Sequence, residues 1–198
     1  MKKILALMLV AAVAIVTVSS CSKGIKCVSM DFKIDDKQGI LLSNGRPYKI
    51  VEVAGKSQKE LYDMVRSNIM KSYQNPSAVM SEDAPNTISV NGYEKYFMLY
   101  SEAGTKNVSA SYTFTFEFKD GKIKVTPSIN EVSFDDAGRG YIEISFSSFI
   151  NDFIKINKPT IPSNYKSEIQ KAESIINTLL NTLLWSSLNK DNRDKDNW

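Results

Sequence analysis

Alternation of period two dominates the middle of the chain. From Val108 to Lys119, the residues Val108, Ala110, Tyr112, Phe114, Phe116 and Phe118 fall on one face, and Ser109, Ser111, Thr113, Thr115, Glu117 and Lys119 on the other. Sustained over a dozen residues, this predicts a long strand of an antiparallel sheet with one buried and one wet side. Asp120-Gly121 is a two-residue hairpin signal, and Lys122 to Thr126 returns with the same alternation until Pro127 ends or edges the strand. Tyr48 to Val53 is a further β-rich run. Shorter strand signals occupy Ser77–Met80, Thr87–Val90, Tyr96–Tyr100 and Tyr141–Phe146, with Asp135 to Gly140 as an exposed turn.

Two stretches switch to helical spacing. Ser57-Gln58-Lys59-Glu60 forms a capping box, in which Ser57 and Glu60 satisfy each other's free backbone donors. The helix it opens carries Leu61, Met64, Val65, Ile69 and Tyr73 on one face, and Asn75-Pro76 stops it. Near the C-terminus, Phe149, Ile150, Phe153 and Ile154 suggest a short amphipathic helix, and Pro159 and Pro162 punctuate a connector. Ser163 is then a cap for the last helix, where Ile169, Ala172, Ile176, Leu179 and Leu183 make a stripe widened by Ile175, Leu180, Leu184 and Leu188. So broad a stripe requires cover from the sheet, a partner or a ligand. The fold class is therefore α+β: an antiparallel sheet, one helix after the first strand, and a long C-terminal helix packed on it.

The first twenty residues have another purpose. Met1 to Lys3 is cationic, Ile4 to Val18 is an uncharged apolar run, and Ser19-Ser20-Cys21 follows. This plan resembles a bacterial lipoprotein precursor cut between Ser20 and Cys21, with the Cys21 thiol taking the lipid. Residues 1–20 are then the signal peptide, 21–45 the lipidated cysteine and a tether leading to an edge strand at Met30, Phe32 and Ile34, 46–188 a single α+β domain, and 189–198 a polar tail. With Cys21 acylated, Cys27 has no intramolecular disulfide partner and reads as a passive tether residue.

Charge and composition narrow the chemistry. Lys+Arg 25 against Asp+Glu 22 gives +3, and losing Lys2 and Lys3 with the leader lowers that to +1, which does not advertise a nucleic-acid partner. The chain has no histidine, which excludes serine-histidine and cysteine-histidine catalysis and histidine-ligated metals. Asp35-Asp36, Glu82-Asp83 and Asp135-Asp136 are paired carboxylates in turn-like sequence, without the Asp/Asn ladder and closing glutamate of a calcium loop. Gly39 to Arg46 and Gly138-Arg139-Gly140 lack the spacing and lysine of a phosphate loop and read as turns. No catalytic, metal or cofactor residue is assigned. The hydroxyl ladder of Ser109, Ser111, Thr113 and Thr115 suits strand addition or a flat polymer such as a glycan, and is equally the solvent face of an antiparallel sheet.

The run Ile50-Val51-Glu52-Val53-Ala54-Gly55-Lys56-Ser57-Gln58-Lys59-Glu60-Leu61-Tyr62, followed by the hairpin Tyr112 to Val125, resembles the bacterial secreted and lipoprotein domain-of-unknown-function family 4468. The resemblance covers Tyr48 to Thr126 and implies a TATA-binding-protein-like fold. It carries over no activity and no site residue. The resulting expectation is a lipid-anchored cell-envelope protein, on the outer membrane or the periplasmic face. It is a non-enzymatic binding module that meets the membrane through Cys21, with an envelope protein or glycan as partner and no nucleic acid. The alternatives are a carrier of a small apolar ligand between the sheet and the C-terminal helix, and a histidine-free hydrolase.

Overall fold

The computed structural model of the chain describes residues 28–35, 39–42, 44–101, 104–136, 138–155 and 160–190. The expected leader, Cys21, Cys27 and the tail beyond Lys190 lie outside the described residues. An N-terminal hairpin of β1 (Phe32–Asp35) and β2 (Gly39–Leu42) precedes β3 (Lys49–Glu52), helix α1 (Gln58–Ser72), the single turn α2 (Pro76–Val79) and β4 (Met80–Asp83). Three fifteen-residue strands follow: β5 (Thr87–Ser101), β6 (Thr105–Lys119) and β7 (Lys122–Asp136). Then come β8 (Gly140–Ser145), the turn α3 (Phe146–Phe149) continuing as a π-helical stretch (Ile150–Lys155), a 3-10 turn (Ser163–Tyr165) and the long helix α4 (Lys166–Lys190). The main sheet is antiparallel in the order β3-β7-β6-β5-β4, with β8 beside the second half of β7. The expected α+β class holds, with both long helices on one side of this sheet.

Alternation along β6 sorts its side chains as expected: Val108, Ala110, Tyr112, Phe114, Phe116 and Phe118 are all buried. They meet Leu61, Val65 and Ile69 of α1 and Ile169, Ala172, Ile176, Leu180, Leu183 and Leu184 of α4 in one core. The two segments behind the family resemblance also touch. Val53 N–H donates to Gly121 O at 2.8 Å and Gln58 N–H to Asp120 Oδ1 at 2.8 Å, so the Asp120-Gly121 turn braces the start of α1. Gly121 holds φ +70°, the left-handed conformation that this tight hairpin needs. The capping box is present as read, with Glu60 N–H on Ser57 Oγ and Ser57 N–H on the Glu60 carboxylate.

Several boundaries differ from the expectations. Pro127 does not end its strand: β7 runs on to Asp136, with Pro127 opposite Phe114. On its other side, β3 stops pairing at Val125 and β8 starts at Glu131, so Pro127 occupies a local edge where a missing N–H is tolerated. Ser77–Val79 is helical rather than extended, because Pro76 sits at the first position of α2, where its fixed φ favours a helical turn. Thr87–Val90 and Tyr96–Tyr100 are two ends of one strand, β5, whose alternation is broken by a bulge between Glu94 and Met98. Ser163 does not cap α4 directly. It opens the 3-10 turn, in which Tyr165 N–H bonds Pro162 O, and α4 begins three residues later.

The largest correction concerns the tether assigned to residues 21–45. Residues 28–35 and 39–42 are part of the folded domain: Met30, Phe32 and Ile40 are buried, and Gly39–Leu42, read as part of a turn, is β2. What holds β1 is a polar stripe on α4. Glu173 Oε1 accepts from Ile34 N at 3.0 Å, Asn177 accepts from Phe32 N and donates to Phe32 O at 2.9 Å each, Asn181 Oδ1 accepts from Met30 N at 3.1 Å, and Trp185 Nε1 donates to Val28 O at 3.3 Å. The match is geometric. Four helical residues rise ~6.0 Å and two strand residues ~6.6 Å, so every fourth side chain of α4 meets every second residue of the strand. At its other end, α4 covers the free edge of β5, where Leu99 N–H donates to Glu168 Oε2 and the Tyr165 hydroxyl to Ser101 O, both at 2.8 Å.

Candidate functional site

Opposite the helices, the sheet carries a face covered by no described element. Register places Thr87, Ser89, Asn91 and Tyr93 of β5 beside Glu117, Thr115, Thr113 and Ser111 of β6. Lys124, Thr126, Ser128 and Glu131 of β7 continue the same rows, Ser145 of β8 extends the last of them, and Ser109, Ser133 and Glu143 form the next. The neutral centre is cross-linked across three strands. Thr113 Oγ1 donates to Asn91 Oδ1 at 2.7 Å, Asn130 Nδ2 donates to Thr113 Oγ1 at 2.9 Å, and Ser128 Oγ donates to Asn130 Oδ1 at 3.1 Å. The Ser89 and Thr115 hydroxyls lie 3.3 Å apart in the next row. Asn130 reaches this network because a bulge gives β7 one residue more than β6 between the Tyr112–Ile129 and Ser111–Glu131 pairs.

Aromatic rings rim this surface. Tyr93, in the row next to Asn91 and Thr113, is 60% exposed, and Tyr141 at the start of β8 is 64% exposed. Tyr96, 54% exposed, lies in the bulged part of β5 with the Lys95 ammonium 5.5 Å from its ring centroid. Charge lies toward the margins: Lys124 pairs with Glu117 at 2.6 Å and Lys122 with Glu52 at 3.7 Å. The carboxylates Glu52, Asp83, Glu117, Glu131, Asp135 and Glu143 outnumber Lys119, Lys122 and Lys124 on this face, which disfavours a polyphosphate. Hydroxyls both donate and accept, and an amide does one at each end, so the face presents neutral, pre-positioned hydrogen-bonding groups beside flat apolar rings.

The residues singled out in the sequence fall as follows. The hydroxyl ladder Ser109, Ser111, Thr113 and Thr115 does lie on this face. Asn91, Tyr93, Ser128 and Asn130 complete it and were missed, because they join only once strand register is known. An Asx residue and an exposed aromatic on strands flanking a hydroxyl ladder were the available signal.

The paired carboxylates come apart, since neighbours in a strand point to opposite sides. Glu82 turns to α1, where Arg66 Nε donates at 2.9 Å and the Tyr62 hydroxyl also donates, while Asp83 belongs to the open face. Asp136 turns inward to Lys106 at 3.0 Å, and Asp135 outward. Asp36 lies outside the described residues. Among the described residues, no cluster of three or more acidic or cysteine side chains could hold a metal.

Tyr62, Glu82, Tyr73 and Tyr112, on the helix side, are held in their resting charge states. Burial, then the Glu82 bond, pushes the Tyr62 phenol up to about 12, and the Arg66 bond holds Glu82 below the usual carboxylate range. Tyr73 and Tyr112 have hydroxyls 3.2 Å apart, and burial pushes both phenols up. None of these is tuned toward neutral pH for acid or base work.

Between the sheet and α4, the space expected for a ligand is occupied by side chains, with Phe114, Phe116, Ile176 and Leu180 buried in one core. Tyr112 stacks on Phe114 at 4.5 Å, and Tyr62 packs edge-on against Phe118 at 5.6 Å. A groove of about 340 Å³ lies instead where β1 meets the first turns of α4, lined by Lys33, Ile161, Lys166, Ile169, Gln170 and Glu173. Among the described residues, no helix is long and apolar enough to cross a membrane.

Residues 48–134 match the family described as a domain of unknown function (DUF4468) with TBP-like fold. The resemblance read from Ile50 to Tyr62 and from Tyr112 to Val125 is borne out, and it extends beyond Thr126 through most of β7. A TBP-like protein from Parabacteroides distasonis ATCC 8503 is similar in structure, with a TM-score of 0.50 at 14% identity, over 69% of this chain and 87% of that one. A DUF4468 family protein from Bacteroides ovatus ATCC 8483 aligns with a TM-score of 0.47 at 15% identity, over 82% of this chain and 92% of that one. No curated protein matches the chain. The first likeness supports the fold; activity and ligand do not follow from it.

Proposed function

We propose that this chain is a cell-envelope lipoprotein, anchored through Cys21, whose domain is a non-enzymatic binding module for a neutral, hydroxyl-rich polymer such as a glycan. The observation that carries the reading is the open sheet face, where Asn91, Thr113, Asn130 and Ser128 form a prearranged hydrogen-bonding strip beside the exposed ring of Tyr93. A sugar ring has apolar C–H faces and a rim of hydroxyls, and this strip offers both complements at ~4.8 Å strand spacing. The surplus of carboxylates argues against a nucleic acid.

The alternative of an apolar-ligand carrier has against it the shared core of the sheet and α4, in which Phe114, Phe116, Ile176 and Leu180 are all buried. The histidine-free hydrolase has against it the separation of Glu82 from Asp83 and of Asp135 from Asp136 onto opposite sides of their strands. The test is a titration of the purified chain against neutral envelope and capsular oligosaccharides, with Tyr93→Ala and Asn91→Ala as variants. Burying the tyrosine ring contributes on the order of 1.5–3 kcal/mol, so Tyr93→Ala weakens binding about tenfold or more, while Met70→Ala on α1 leaves it unchanged. Binding indifferent to Tyr93 and Asn91, or capture of a protein but no glycan, overturns the glycan reading. Metabolic labelling with palmitate, lost in Cys21→Ser, tests the anchor separately.

A further inference from the structure

We infer that the ladder between α4 and the N-terminal strand fixes how the domain stands on the membrane, with the Trp185 end of α4 toward the bilayer. The inference rests on the reading of Cys21 as the lipid-bearing residue. Cys21 precedes Val28 by seven residues, and seven residues of fully extended chain span at most ~25 Å.

Val28 is not the start of a loose arm. Its carbonyl accepts from Trp185 Nε1, and the next rungs step to Asn181, Asn177 and Glu173, antiparallel to the helix and away from the anchor. Lys49 of β3 adds a bond to Ser29 O at 2.8 Å and an ion pair with Asp31, while Met30 and Phe32 are buried beneath. The chain therefore enters the domain at the C-terminal end of α4.

From Trp185 back to Lys166, α4 rises ~28 Å. Its far end, with Tyr165, Glu168 and the Leu99–Ser101 edge of β5, stands away from the lipid. Were the arm released as far as Arg46, twenty-five residues of free chain would reach ~85 Å and impose no orientation. The docked arm is thus a short mount that keeps the domain next to the bilayer with one pole facing it.

The test uses the full lipidated chain, purified from the envelope with Cys27→Ser and reconstituted in phosphatidylethanolamine/phosphatidylglycerol vesicles carrying an acceptor dye on the headgroup. A donor dye is placed at Thr182→Cys or Ser167→Cys, both exposed positions of α4. The ~22 Å between them along the helix makes quenching at position 182 at least about twofold stronger than at 167. Asn177→Ala with Asn181→Ala, and independently Trp185→Phe, which keeps a buried ring and removes the donor, reduce that contrast.

Equal quenching at the two positions in the unaltered chain, or the reverse order, overturns the inference, as does a contrast that survives all three ladder substitutions in folded protein. A chain that fails to float with the vesicles refutes the anchor at Cys21 and the inference with it.

Discussion

Replacing Gly92 by alanine isolates one contact that organises the middle of the sheet. Gly92 on β5 lies opposite Tyr112 on β6, and the phenol lies across it. A Cβ at position 92 would be 2.2 Å from Tyr112 Cζ, 2.3 Å from Oη and 2.4 Å from Cε2. Ordinary contact begins near 3.4 Å, so the ring must retreat by about 1.2 Å. It has little room, being stacked on Phe114 at 4.5 Å with its hydroxyl 3.2 Å from that of Tyr73.

Overpacking of this kind costs ~1–3 kcal/mol, and losing the buried Tyr73–Tyr112 bond adds ~1, for a total of ~2–4 kcal/mol. In a Tyr112→Val background the ring is gone. Gly92 has no left-handed φ, so the same alanine then stabilises by ~0.4–1 kcal/mol through the unfolded chain. The assay is equilibrium urea unfolding of all four members of the cycle, followed through the fluorescence of the buried Trp185. If Gly92→Ala costs the same in both backgrounds, the ring contact is not the reason for glycine and the argument fails.

Two further outcomes are expected. Phe116→Ala removes a fully buried ring from the centre of β6 and costs ~3–5 kcal/mol in the same assay; a loss under 1 kcal/mol would mean that the core there is not closed. Glu60 is held down from 4.5 to about 2, first by its bond to Lys56 and then by the Ser57 N–H. Because the folded value is depressed, its stabilisation is complete above pH 4.5 and disappears as pH falls toward 2. Glu60→Gln should therefore be less stable than the parent at pH 7, with a gap that closes between pH 4.5 and 2 in thermal melts; a pH-independent gap would contradict this origin.

The elements legible in the sequence were those whose signal is local. Val108 to Lys119 declared itself because both faces alternate without interruption, and Ser57-Gln58-Lys59-Glu60 because its reciprocal bonds span three residues. Long-range compensation was not legible. Pro127 read as either the end or the edge of its strand, since only the gap between β3 and β8 decides for an edge inside a longer strand. Between Val28 and Leu42 only a short edge strand at Met30, Phe32 and Ile34 was legible, with Gly39–Leu42 read as part of a turn, because the groups that satisfy the strand's backbone come from more than 130 positions later.

Those groups had left a trace: Glu173, Asn177 and Asn181 form a polar row at four-residue steps beside the apolar stripe of α4. Of the open face, half was visible. Ser109 to Thr115 lie on one strand, whereas Asn91, Tyr93 and Ser128 join them only through pairing with β5 and β7, and Asn130 through a bulge that no local pattern encodes.

The strand held by α4 also sets the order in which the molecule can close. Val28 and Trp185 are partners 157 residues apart, and Asn181 meets Met30 across 151. A chain emerging from its N-terminus can complete β5, β6, β7 and α1 from contacts of modest separation, but β1 must wait for the last helix to exist. Contacts this distant form late and slow the final step, since loop closure precedes any gain from them. The first strand of the domain is thus among the last to become ordered. During that interval the backbone from Val28 to Ile34 keeps its hydrogen-bonding groups in water, and completion of α4 then withdraws them into the finished domain.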